Sequence, residues 1–197
     1  MFKLGLTLVF VLLGLSGCTG MRLVDTNVRS YATPPLIAAG ALYRFERLPS
    51  QQIDAVQQNQ LEALVKPALA QVGLRYDEAA ALYSVQASVS TKVDPYSPWD
   101  HPAQGGMSWN FGFGLHSGNL MMGQGLFGMA ERPYYWRQVS LIIRNLNTQQ
   151  VVYETHAAND GPWSDSTKIL PALFEAALKN FPNPPPGERR INLEIPR

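Results

Sequence analysis

Gly123-Gln124-Gly125-Leu126-Phe127-Gly128 matches the G-x-G-x-x-G pattern that cradles a dinucleotide pyrophosphate. That chemistry needs a strand before the glycines, a helix after them and an acid about 20 residues further on. Here Arg132-Pro133 follows instead of a helix, so the match is discounted. The three histidines, His101, His116 and His156, fall in no metal-ligand spacing, and each reads by default as a loop histidine in water. Asp100 and His101 are adjacent, but neighbouring side chains point apart in an extended chain. No G-x-S-x-G elbow occurs, and the acids are scattered without a paired spacing. These patterns support neither catalytic residues nor a metal or cofactor site. The remaining reactive side chain is the only cysteine, Cys18.

Cys18 closes a segment with its own logic. Lys3 supplies a positive start, and Leu4 to Leu15 form a twelve-residue apolar run. That length suits a secretory signal and falls short of the about 20 residues needed to span a bilayer. The narrow side chains Ser16 and Gly17 come next, as a peptidase requires, and Leu15-Ser16-Gly17-Cys18 reads as a lipobox. The expectation is cleavage after residue 17 and lipidation of Cys18. Two or more acyl chains hold a protein stably on a membrane, at about 0.8 kcal/mol per buried CH₂. Thr19, rather than aspartate, follows the cysteine. In a two-membrane bacterium this directs the protein to the outer membrane, facing the periplasm.

Composition removes further classes. Loss of residues 1–17 removes one charge, Lys3, and leaves 15 Lys+Arg against 15 Asp+Glu. A near-neutral chain lacks the basic surplus that nucleic acid demands. A lone cysteine forms no internal disulfide, although an extracytoplasmic compartment would permit one.

The rest reads as one domain over residues 24–197, after a lipidated tether at 18–23. Val24–Ala32 and Ala41–Arg47 read as strands, the second with Tyr43 and Phe45 toward the core. Ser50 to Val72 predicts one helix with a stripe of Ile53, Val56, Leu61, Leu64, Val65, Ala68, Leu69 and Val72. Gly73 stops it, and Pro67 should kink or split it. Leu82–Val93 alternates cleanly, with Val85, Ala87, Val89, Thr91 and Val93 on one side. Trp136–Asn145 and Val151–Ala158 predict a hairpin across the polar link 146–150. Gly161-Pro162, flanked by Asp160, Trp163 and Asp165, reads as a turn into a second helix. That helix is capped by Asp165 or Ser166 and buries Leu170, Leu173, Phe174, Ala177, Leu178 and Phe181. Pro182 and Pro184–Pro186 end it, and Arg190–Ile195 alternates as a last strand. The expected fold class is α+β: a mostly antiparallel sheet, two helices packed on one face, and a long Gly/Met/aromatic-rich insertion.

That insertion, residues 94–133, is the compositional oddity. Between Asp100 and Glu131 there is no charged side chain, and the stretch holds eight of the 16 glycines. One reading is a glycine-rich excursion or a hairpin extension of the flanking strands; Trp109, Phe111 and Phe113 alternate as strand residues do. The other is a contact surface, since uncharged aromatic and Met-rich patches rarely stay exposed without a partner. The candidate contact residues are Met107, Trp109, Phe111, Phe113, Met121, Met122 and Phe127.

Trp136 to Asn145, Thr148 and Val151 to Thr155 resemble the strand–turn–strand of the domain-of-unknown-function 4136 (DUF4136) lipoproteins. Tyr153 stands where that family commonly has tryptophan. The closing helix ending in Phe181-Pro182, the proline run, the early aromatic strand, the first helix and Gly73 are similar to it too. The resemblance implies a periplasm-facing, membrane-anchored α+β domain and brings no catalytic residues. Together these readings lead to a non-enzymatic envelope lipoprotein with no cofactor. It is attached to the membrane by its lipid, binds an envelope protein partner and binds no nucleic acid. The alternative is a small-molecule or lipid binder with a pocket between sheet and helices.

Overall fold

The computed structural model describes residues 20–94 and 133–196, with two short strands at 113–116 and 119–122. In chain order the elements are β1 (Met21–Ala32), β2 (Leu42–Phe45), α1 (Pro49–Ile53), α2 (Ala55–Gln71), β3 (Arg75–Tyr76) and β4 (Tyr83–Asp94). Then come β5 (Phe113–His116), β6 (Asn119–Met122), β7 (Tyr134–Asn145), β8 (Val151–Gly161), α3 (Ser166–Ala177) and β9 (Glu188–Pro196). Seven strands form one sheet in the order β3-β2-β4-β7-β8-β1-β9. It is mixed but mostly antiparallel: only β2 pairs in parallel, with β3 and β4.

Period-two alternation explains the centre of this sheet. Opposite residues of an antiparallel pair share a face, so apolar positions line up in rows across strands. Val85 meets Ile143, which meets Tyr153. Val89 meets Val139, which meets Ala157, which meets Val28. Leu61, Val65 and Leu69 of α2 and Ile169, Leu173 and Phe174 of α3 join these rows in one core. The row between them is partly polar: Ala87, Leu141, Thr155, Ser30. There Arg189 Nη2 donates to Ser30 Oγ at 2.9 Å, and the Ser30 and Thr155 hydroxyls lie 2.8 Å apart. Thr155 in turn donates to the Ala177 carbonyl at the end of α3, 2.8 Å away. That carbonyl has no partner within its own helix, so the chain of donors replaces water there.

Three features differ from the sequence expectation. The predicted helix 50–72 is two helices, so the fold has three described helices rather than two. Asp54 leaves helical geometry (φ −105°, ψ 59°) and caps α2 by accepting from the Gln57 N–H at 3.4 Å. Ile53 and Val56 fall at this break and are 89% and 71% exposed, off the core stripe. Pro67 does not split α2. Pro67 and Ala63 both lie on the exposed side, where water can satisfy the carbonyl that a proline leaves unmet. The sheet is also wider than expected. β1 starts at Met21, within the stretch read as tether, and pairs with β9 from Met21 to Arg29.

The end of α2 rests on one backbone position. Gly73 has φ +85°, its N–H reaches the Ala70 carbonyl at 3.0 Å, and the Leu74 N–H reaches Leu69 at 3.0 Å. This pair of bonds is a Schellman cap, and Leu74 is buried beneath it. A Cβ at Gly73 would have room, with its nearest neighbour, Ala39 Cβ, 3.8 Å away. The cost of a side chain is therefore conformational. Gly73→Ala is expected to lose about 1–2 kcal/mol in denaturant titration, and Gly73→Asn less, because asparagine tolerates the left-handed region. Equal losses for the two variants would exclude this origin.

Candidate functional site

One end of the sheet gathers most of the chain's unusual features. Met21 of β1 faces Pro196 of β9, and Asp94 of β4 faces Tyr134 of β7. β8 finishes beside them at Gly161, and α3 begins beside them at Ser166. β1 therefore begins, β4 ends and β7 begins at this one end of the sheet.

The side chains here are cationic and aromatic. Arg137 lies on β7 on the core face, opposite Thr91 of β4 and Asn159 of β8. It is only 2% exposed. Its Nε donates to Ser166 Oγ at 2.9 Å, and its Nη2 to the Trp163 carbonyl at 2.6 Å. The guanidinium also stacks on the Tyr135 ring, 4.8 Å from the centroid. Burial lowers its pKa from the ordinary arginine value; Tyr135 and Asp165 oppose this, and Arg22 adds to it. Arg22 on β1 stacks on the Trp163 ring at 4.5 Å. The buried Arg137 Nη1, Arg22 Nε, Arg22 Nη1 and Thr26 Oγ1 have no hydrogen-bond partner. Among the described residues, neither arginine forms a salt bridge.

The start of α3 is ordered by Asp165. Its carboxylate accepts from the Lys168 N–H at 3.3 Å and from the Thr167 hydroxyl at 2.8 Å. The Thr167 bond, with Lys168 helping, holds this carboxyl below its ordinary pKa. Alongside, a half-open groove of about 410 Å³ runs between α2 and α3. Leu64, Pro67, Pro171 and Ile195 line it, and Lys168 and Glu175 carry charge there.

The residues singled out from sequence fall differently. Cys18, Met107, Trp109, Phe111 and Phe127 lie outside the described residues, as do His101 and the glycine motif at 123–128. Phe113 lies on β5 and Met121 and Met122 on β6, with Phe113 opposite Met122 in an antiparallel pair. His116 ends β5 opposite Asn119. His156 sits on the sheet face away from the helices, 2.7 Å from Glu154 Oε1. No group of three or more His, Cys, Asp or Glu residues gathers among the described residues. No described helix is long and apolar enough to cross a membrane. The Arg22–Arg137 pair was missed by sequence reasoning. Its only local signal was the Asp160–Asp165 turn with Trp163, which read simply as the approach to α3.

The fold is a helix-backed, mostly antiparallel α+β domain. The family model of DUF4136, a domain of unknown function, matches residues 24–183, and the chain belongs to that family. No curated protein matches it. Among solved structures, it is similar to a PDZ domain protein from Parabacteroides distasonis, at 13% identity and a TM-score of 0.51. That match covers 95% of this chain but only 42% of the other, so this chain spans less than half of its relative. Two structures of the PelC dodecamer from Paraburkholderia phytofirmans also match, each at 13% identity and a TM-score of 0.42. They cover 78% of this chain and 94% and 95% of their own.

Proposed function

We propose that this protein is a non-enzymatic, lipid-anchored module of the cell envelope. It binds a protein partner through the Gly/Met/aromatic insertion held beside its anchor. The observation that carries this reading is a shared end: Met21 opens β1, Asp94 closes β4 and Tyr134 opens β7 at the same end of the sheet. A lipid on Cys18 would sit three residues before Met21, a span of at most about 10 Å. With α2 and α3 covering one face of the sheet, such an anchor would hold the insertion near the membrane surface. In a two-membrane bacterium that membrane is the outer one.

Two changes test the anchor and the partner separately. Cys18→Ser should shift the protein out of the membrane fraction or leave it unprocessed; unchanged fractionation would remove the anchor. Deleting residues 105–129 should keep the anchored domain folded and abolish a specific in-cell crosslink. An unchanged crosslinking pattern would remove the partner role.

The α2–α3 groove favours a second reading, a small-molecule or lipid binder. Its volume is within the range of ligand sites, about 300–1,000 Å³. Native mass spectrometry of the detergent-extracted protein would then show a bound mass. A clean unliganded mass would exclude it.

A further inference from the structure

We infer that Arg22 and Arg137, at the start of α3, form a binding site for a phosphate-type oxyanion. The site stands on described residues alone and does not depend on the anchor. Burying a cation without a counter-charge is costly, and natural proteins pair such groups. Arg137 is buried, and its own hydrogen bonds go to neutral acceptors, Ser166 Oγ and the Trp163 carbonyl. The second guanidinium, Arg22, lies over the ring of Trp163, the residue whose carbonyl Arg137 holds, and its charge disfavours that on Arg137. Two like charges brought together beside one helix end call for an anion between them. The nearby carboxylate, Asp165, is already engaged as the cap of α3 and with Thr167.

The unused donors match the ligand. Arg137 Nη1 and Arg22 Nε and Nη1 are N–H groups without acceptors. Arginine presents its N–H groups in a rigid fork that fits phosphate oxygens, and charge-assisted bonds of this type are the strong ones. The twelve-residue α3 adds the positive end of its dipole at the same place, since Arg137 is bonded to its first residue. Trp163 and Tyr135 hold the two guanidinium groups by stacking, so the donors are placed before the ligand arrives. Arg22 is only partly buried, so the site lies at the edge of the domain rather than in its core.

Two sources supply this chemistry: free phosphate and the headgroup of a phospholipid. Only the headgroup source rests on the lipid-anchor reading, since Arg22 follows Cys18 by four positions. The test uses the full chain extracted in non-ionic detergent, with melting followed at constant ionic strength. Inorganic phosphate and dihexanoyl phosphatidic acid are titrated separately, with chloride as control. One or both should raise the melting temperature saturably, which chloride should not. Arg22→Gln should weaken that response by about tenfold or more, the loss of one charge-assisted bond pair. Without ligand, the same variant should melt close to the parent, because the like-charge repulsion it relieves offsets the Trp163 stacking it loses. Arg137→Lys, which keeps the charge and loses the fork, should also weaken the response. Tighter binding of the phosphatidic acid identifies a headgroup site, and equal binding identifies a site for the phosphoryl group itself. If neither probe exceeds chloride, or if Arg22→Gln responds as the parent does, the site is overturned. A ligand-free Arg22→Gln protein that melts well below the parent would make the pair structural, also overturning the proposal.

Discussion

Phe174→Ala is expected to destabilise the domain by about 3–5 kcal/mol. Phe174 is completely buried in α3 and belongs to the core shared by both long helices and the sheet. α3 packs on β1, β7, β8 and β9 as well as on α2, so a void under it loosens contacts with several strands at once. Collapse around such a void is limited because the opposing rows are set by strand register. In a domain of this size each kcal/mol lowers the melting temperature by about 2–4 °C, so a drop of roughly 10 °C is expected. Phe174→Leu keeps most of the volume and should lose far less. Thermal melts followed by circular dichroism check both. A melt within about 2 °C of the parent for the alanine variant would show that α3 is not the central support.

Stability is expected to fall between pH 10 and pH 12, and Tyr43 should account for most of it. Tyr43 is 1% exposed on β2, edge-on to Phe45 at 5.4 Å and to Tyr76 at 5.7 Å. Burial pushes its hydroxyl up from 10.0 to about 12, with Tyr76 and Glu62 adding in the same direction. An acid with a raised pKa in the fold keeps its proton there while the unfolded chain loses it. The stabilisation is therefore complete below pH 10 and is lost as pH rises toward 12. The loss by pH 12 is about 2–3 kcal/mol. Tyr134 is also pushed to about 12, by burial first and then by its bond to Asp160, but its partial exposure reduces its share. Denaturant titrations at pH 9, 10, 11 and 12 should show the decline in the parent and a much shallower one in Tyr43→Phe. Parallel declines would assign the effect elsewhere.

The readable parts of this fold share one property: their pattern is local. The alternation in Leu82–Val93, Trp136–Asn145 and Val151–Ala158 predicts β4, β7 and β8 because a pleated strand repeats every two residues. The apolar stripe through Leu173, Phe174 and Ala177 predicts α3 in the same way, and Asp165 caps it as expected. Gly73 ends its helix for a reason confined to its own φ angle. What local pattern missed was set by partners far along the chain. Gln58 and Glu62 face inward on α2 although they are polar. Arg47 reaches both Glu62 oxygens at 2.7 Å, and the Gln58 amide donates to the Ala87 carbonyl at 3.3 Å. Such burial is tolerated once the groups are paired, and nothing in the stretch 50–72 names the partner. The two-residue β3 is likewise a product of its neighbour β2, since two residues carry no period.

By itself the chain determined the α+β class, the strands of the sheet centre and the helical character of α2 and α3, all of which rest on short-range periodicity and caps. Tertiary structure alone decided that Arg22 and Arg137 both reach Trp163. They stand on strands separated by β8, and only the β7-β8-β1 order and the turn into α3 bring them to the same helix end. The physical reason is that an arginine in sequence is by default a solvated charge. It becomes a candidate site only where packing removes its water and leaves its donors without acceptors.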